Sequence, residues 1–166
     1  MRLRVIAATL LLVAIAGCGG SSASPAKRAA DPGPSAPVAA PKRHAKPAGK
    51  QVKVSASAYG RILFDSRGRA LYLFTHDRGT RSTCYGACAS AWPPVVTKPG
   101  PRATGAVKQS LLGTTRRRDG TSQLTYAGHP LYYYVGDTRP GQVLCQAVLE
   151  YGGYWYVVRS DGTAVR

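Results

Sequence analysis

Acidic side chains are scarce in this chain. Seven Asp and Glu stand against 23 Lys and Arg in 166 residues, giving a formal net charge of +16. Six of the carboxylates (Asp65, Asp77, Asp119, Asp137, Glu150, Asp161) lie beyond residue 50. General acid–base chemistry therefore has few groups to draw on, and no G-x-S-x-G elbow, H-E-x-x-H helix or P-loop supplies more. Long apolar runs are missing too. The longest, Val5–Ala16, spans 12 residues with Thr9 the one hydroxyl inside it, against roughly 20 for a bilayer-spanning helix. Methionine occurs once, at position 1, so no thioether ligand remains after removal of a leader. With no catalytic motif to assign, a non-enzymatic protein is expected.

What is present at the N-terminus is a secretion signal. Arg2 and Arg4 form a short positive region ahead of the apolar run, which ends Ile15-Ala16-Gly17-Cys18. An aliphatic residue and two small ones before a cysteine match the bacterial lipobox. Small side chains let the peptidase approach the backbone, and the Cys18 thiol is the nucleophile that takes a diacylglyceryl group. Residues 1–17 are read as a signal peptide and Cys18 as the lipidation site. Two or more acyl chains anchor stably where one is marginal. The expected location is extracytoplasmic, lipid-anchored to the bacterial cell membrane.

Residues 18–50 read as a tether. Its 32 residues after Cys18 hold six prolines, nine alanines and six basic residues, with Val38 the one larger apolar side chain. Such a composition buries too little to offset ordering entropy and would span on the order of 30 Å as a coil. His44, between Arg43 and Ala45, belongs to its solvated charge run. Positive charge continues beyond it: fifteen Lys and Arg less six carboxylates leave +9 in residues 51–166. Anionic envelope polymers or lipids are the expected partners, beside the membrane itself. Nucleic acid is not expected, because a secreted protein seldom meets it.

From Gln51 the pattern turns to strands, and it repeats. Gly60–Asp77 aligns with Gly120–Asp137 without a gap at an offset of 60, with identities at Gly60/Gly120, Gly68/Gly128, Leu71/Leu131, Tyr72/Tyr132 and Asp77/Asp137. Phe64/Leu124 and Phe74/Tyr134 support the same register. Each copy reads as a β-hairpin: Arg61–Phe64 returning through Ala70–Thr75, and Gln123–Tyr126 returning through Pro130–Tyr134. Gly68 supplies the positive φ of the turn. Further strands are expected at Val52–Ala58, Leu112–Arg117 and Tyr154–Arg159, with one short helix near Gly86–Trp92 stopped by Pro93-Pro94. The fold expected for residues 51–166 is mainly β: two repeated hairpin units (about 58–98 and 112–162) in one small domain with a short helical insert.

Tyr72-Leu73-Phe74-Thr75-His76-Asp77 and Tyr132-Tyr133-Tyr134-Val135-Gly136-Asp137 both read Y-x-[FWY]-x-x-D. Between them stands Cys84-Tyr85-Gly86-Ala87-Cys88-Ala89-Ser90-Ala91-Trp92-Pro93-Pro94, and Gly152–Val158 closes the region. Over roughly residues 58–162 the chain resembles the secreted bacterial lipoproteins with a repeated YX(FWY)XXD motif, a secreted repeat of unknown function. The resemblance implies secretion, lipidation and a repeat fold; it implies no activity. Cys145 departs from it, standing where the family pattern tends to have glycine.

Strand alternation puts Tyr72 and Phe74 on one face and Leu71, Leu73 and Thr75 on the other, with Tyr132 and Tyr134 repeating the first. Core packing is favoured for these rings over the lining of a groove. Asp77 and Asp137 are expected to cap turns. With Cys18 lipidated, Cys84, Cys88 and Cys145 remain in an oxidising compartment, an odd number. Cys84–Cys88 is the local disulfide candidate, and Cys145 is the alternative partner for either. The rival functional reading is an envelope redox or metal module, with His76, Cys84 and Cys88 offering imidazole and thiolate to Cu or Zn; Cys145 and the turn residue His129 are its outlying members. Covalent haem is excluded by Ala89 after Cys88. No cofactor is otherwise expected, and the favoured function is a binding or surface-interaction module.

Overall fold

A computed structural model describes residues 49–166. The signal peptide, Cys18, His44 and the tether up to residue 48 lie outside the described residues. Lys50, the tether's last residue in the sequence reading, already belongs to the domain. Its amide donates to Thr97 Oγ1 (2.8 Å) and its carbonyl accepts from the Arg102 amide (2.9 Å).

The domain is mainly β. Its strands are β1 (Gln51–Ser57), β2 (Gly60–Asp65), β3 (Tyr72–Phe74), β4 (Arg102–Ala103), β5 (Leu112–Arg116), β6 (Ser122–Tyr126), β7 (His129–Pro130), β8 (Val148–Glu150) and β9 (Gly153–Val157). The described residues form three small sheets, ordered β2-β1-β4, β3-β9-β8 and β5-β6-β7. One short helix, α1 (Ala87–Ala91), stands where the sequence places it, ended by Pro93-Pro94. Gly68 and Gly128 hold φ of +83° and +82° at the two turns, a conformation other residues adopt only with strain.

The pairing of the hairpins corrects the sequence reading. β2 pairs along its length with β1 and β6 with β5, partners the sequence reading did not assign, while the expected return limbs meet β2 and β6 only at their starts. The return limb Ala70–Thr75 touches β2 only at its start, through the Phe64–Ala70 bridge and the Leu71 amide on the Leu63 carbonyl (3.1 Å). From Tyr72 it pairs with β9 at the far end of the chain. In the second copy His129–Pro130 alone pair with β6, and Tyr132 bridges to Tyr72 and Pro94. A central strand has two edges, and here the second edge of each hairpin is shared between its own return limb and the other copy.

That exchange is reciprocal. The Val158 carbonyl accepts from Leu63 of the first copy (2.8 Å), while the Val95 carbonyl accepts from Leu124 of the second (2.8 Å). Leu71 and Leu131 donate to Leu63 and Leu124 in the same way. These bonds make Leu63 equivalent to Leu124, 61 residues on rather than 60. Two residues (Ala58, Tyr59) separate paired Ser57 and Gly60, but three (118–120) separate Arg117 from Thr121, whose carbonyl its amide meets at 2.9 Å. The following turn compensates: five residues lie between Phe64 and Ala70, four between Thr125 and Pro130. An insertion and a deletion cancel, so the sequences align without a gap although one strand is shifted.

Two hydrophobic layers lie on opposite faces of the motif segments. One holds Ile62, Phe64, Tyr72, Phe74, Trp92, Tyr132, Trp155 and Val157; the other holds Leu63, Leu71, Leu73, Leu124, Leu131 and Tyr133. The alternation read from the sequence thus separates two cores, and both faces are buried. At the centre of the first layer the Trp92 and Trp155 indoles stack at 4.0 Å and 5°. Phe74 stacks on the outer face of Trp155 (4.1 Å) and Tyr134 lies against Trp92 (4.8 Å). Each indole comes from one copy and each flanking ring from the other. Both indoles are fully buried. Trp92→Ala and Trp155→Ala are each expected to cost about 3–5 kcal/mol. Denaturant unfolding should find the double variant less destabilised than the sum of the two, because the indoles share one contact.

Candidate functional site

The Y-x-[FWY]-x-x-D residues meet at the junction of the two copies. Tyr72 and Tyr132 pair backbone to backbone, with N–H to carbonyl distances of 3.0 and 2.9 Å. Their hydroxyls then cross over: Tyr72 donates to Asp137 Oδ2 (2.6 Å) and Tyr132 to Asp77 Oδ2 (2.8 Å). The motif spacing follows from this geometry. Five residues carry the chain from the pairing tyrosine round a turn, closed by Asp77 N–H on the Phe74 carbonyl and Asp137 N–H on the Tyr134 carbonyl (both 3.2 Å), to a carboxylate that meets the other copy's hydroxyl.

Each aspartate also holds the loop that follows it. Asp77 Oδ1 accepts the Thr83 amide (2.8 Å) and hydroxyl (3.1 Å); Asp137 Oδ1 accepts the Leu144 amide (3.0 Å). The turn-holding role expected of both is present. The tyrosine that each meets on the opposite copy was not legible in the residues. Burial pushes both carboxyls above the ordinary carboxylate range, partly offset by these donors. Tyr72, Phe74 and Tyr132 are buried, as core packing required, and Tyr134 is half-buried. Of the four rings, Phe74 alone also borders a surface cleft, the one that His129 lines.

The cysteines divide as the local pairing anticipated. Cys84 and Cys88 form a disulfide with Cα atoms 5.3 Å apart, and Cys145 is free. Cys145 follows the loop amide that Asp137 holds, as Cys84 follows the one that Asp77 holds. It is thus the second copy's counterpart of Cys84, without a partner. Burial raises its thiol, and its presence beside Tyr134 pushes that hydroxyl up to about 12. The thiol is not activated as a nucleophile.

The metal set does not assemble around these groups. Both of its thiolates are consumed by the Cys84–Cys88 bond. His76 is exposed with its ring 5.8 Å from Phe74. His129 is exposed on β7 and lines a cleft of about 560 Å³ with Asp77 and Arg166. Among the described residues no three His, Cys, Asp or Glu side chains group to hold an ion.

Sequence reasoning also missed Arg117. It is 3 % exposed, and its guanidinium bonds Asp119 (3.2 Å), Ser82 Oγ and Gln123 Oε1 (2.7 Å each) and the Cys84 carbonyl (2.7 Å). Ser82 in turn donates its hydroxyl to the Tyr132 phenol oxygen at 2.8 Å, the phenol's own proton going to Asp77. The arginine therefore ties the disulfide loop to the motif junction. One member of an Arg-Arg-Arg run carries no sign that it turns inward; the signal available was Gln123 at a core position of β6.

Residues 53–96 and 113–159 each match the profile of a family described as a secreted repeat of unknown function. The two matches span both interlocked copies. No curated protein and no solved structure matches the chain.

The buried tyrosines set a pH limit. Tyr72, Tyr132 and Tyr133, the last donating to Asp65 Oδ2 at 2.9 Å, are all raised above 10, first by burial. In the unfolded chain they ionise near pH 10 while the fold keeps them protonated. The stability they contribute is complete below that pH and is lost as pH rises through the window above it. Each costs about 1.4 kcal/mol per pH unit. Unfolding free energies measured between about pH 10 and 11.5 should fall as pH rises, these three tyrosines adding to the raised Tyr126, Tyr134 and Cys145, and Tyr133→Phe should make the slope shallower by about one proton.

Proposed function

The chain belongs to this secreted-repeat family, and from that premise we propose that it is a lipid-anchored, extracytoplasmic binding module for anionic polymers or lipids of the cell envelope, acting without catalysis. The lipobox ending at Cys18 supports the anchor, and the tether would hold the domain clear of the bilayer. The motif side chains support the absence of catalysis. Tyr72, Tyr132, Asp77 and Asp137 have their hydrogen-bonding capacity taken up by one another and by loop amides, leaving the outer surface to interact.

Charge carries the choice of partner. Residues 51–166 bear fifteen basic side chains against six carboxylates, yet a single ion pair, Arg117–Asp119, forms among the described residues. The positive excess is therefore presented to the surroundings and favours an acidic partner. The redox or metal reading with His76, Cys84 and Cys88 gains no support from a site whose thiolates are joined.

Mass spectrometry of detergent-extracted protein is expected to find Cys18 as the mature N-terminus bearing a diacylglyceryl group. Cys18→Ser should move the chain from the membrane to the soluble fraction. Wall material freed of bilayer by detergent should cosediment with the protein at low salt and release it as screening increases. An unmodified Cys18 on a membrane-retained chain contradicts the anchor, and failure to cosediment contradicts the binding role.

A further inference from the structure

The two copies share their junction but differ at one corner. There the β5–β6 turn and the loop before the disulfide enclose an open cleft of about 580 Å³. Four of its seven lining residues are arginines (Arg81, Arg116, Arg117, Arg118), and none is a carboxylate. Asp119, the nearest acid in sequence, is spent locally: one oxygen bonds Arg117 and the other accepts the Thr121 amide (2.9 Å) and hydroxyl (2.6 Å).

The cleft is built rather than merely charged. Buried Arg117 holds its two walls together through Ser82 and the Cys84 carbonyl. Tyr85, the next residue, lies between two guanidinium groups, Arg117 at 4.3 Å and Arg118 at 3.8 Å from its ring. Its hydroxyl accepts the Arg118 amide at 3.2 Å. Stacking fixes the plane of a guanidinium and leaves its N–H edge free, the arrangement that takes oxyanions in pairs of hydrogen bonds. Arg81, Arg116 and Arg118 are exposed, and none has an acidic partner among the described residues.

The fold does not require this concentration of like charge. In the first copy Ala56 and Ser57 stand at the positions of Arg116 and Arg117, while Arg118 sits in the turn that is one residue longer. Packing that served only the scaffold would recur in both copies, as the tyrosines, aspartates and indoles do. We propose that this cleft is a phosphate-binding site, in which Arg81, Arg116 and the Tyr85-stacked Arg118 grip successive phosphate groups of a soluble or wall-linked phosphodiester polymer. Three separated guanidinium groups suit a tetrahedral, repeating anion better than isolated planar carboxylates. The proposal rests on the envelope-binding reading above and names its ligand.

The test uses the full chain in non-ionic detergent, titrated with poly(glycerol phosphate), with polyglutamate of equal charge, and with phosphatidylglycerol vesicles. Saturable binding to poly(glycerol phosphate) is expected, and Arg116→Gln/Arg118→Gln should weaken it by about tenfold or more. The charge-matched pair Arg102→Gln/Arg139→Gln, on exposed residues elsewhere, should change it less than about twofold. Equal losses in both pairs, equal affinity for polyglutamate, or binding to vesicles alone would each overturn the proposal. Retention on bilayer-free wall material by the Arg116/Arg118 variant would overturn the site yet leave the binding module standing. Lack of retention of the unsubstituted chain would remove the module itself.

Discussion

Around the backbone pair of Tyr72 and Tyr132, almost every contact has a partner on the other copy. The two hydroxyls cross to Asp137 and Asp77, the two indoles stack, and each indole is faced by the opposite copy's motif ring. The segments that follow the indoles are exchanged between hairpins, Val95 to the second and Val158 to the first. A single copy would leave part of the second edge of its hairpin, the Leu63 or Leu124 amide among it, without a hydrogen-bonding partner and its aromatic layer half-covered. Buried backbone groups are too costly to leave unpaired, so two copies make one folding unit. The motif records this dependence: tyrosine pairs across the junction, the second aromatic covers an indole, and aspartate receives the other tyrosine while fixing its own loop.

Much of that was legible in the residues. Strand alternation, turn glycines and the prolines after Trp92 located most elements and separated the two core faces. Pairing partners were not legible, because a strand's hydrophobic pattern says which face is buried and not which neighbour lies along its edge. The β1–β2 hairpin was missed for that reason, and β3 was given to the wrong strand. The cancelling insertion and deletion hid the one-residue shift that makes Leu63 the counterpart of Leu124. The indoles are 63 residues apart, outside the aligned blocks, so their equivalence showed only in space. Arg117 was hidden by its composition: a basic residue in a basic run reads as solvated until its donors are found satisfied.

Duplication also separates what the scaffold needs from what it does not. Features present twice are explained by the junction. Those present once are the Cys84–Cys88 disulfide, the longer β5–β6 turn and the arginine corner, and Arg117 connects all three. A secreted domain whose symmetric residues are consumed in holding it together has its individual chemistry in that asymmetric corner. This is where an anchored module with unbalanced positive charge would meet an acidic polymer.

Residue-resolved native-state hydrogen exchange of the Tyr72 and Tyr132 amides tests the interlocking directly. If the copies form one unit, both amides exchange only through global unfolding, with the same opening free energy and the same response to denaturant. A Tyr132 amide that opens at markedly lower free energy than Tyr72, independently of it, would show that the copies fold separately.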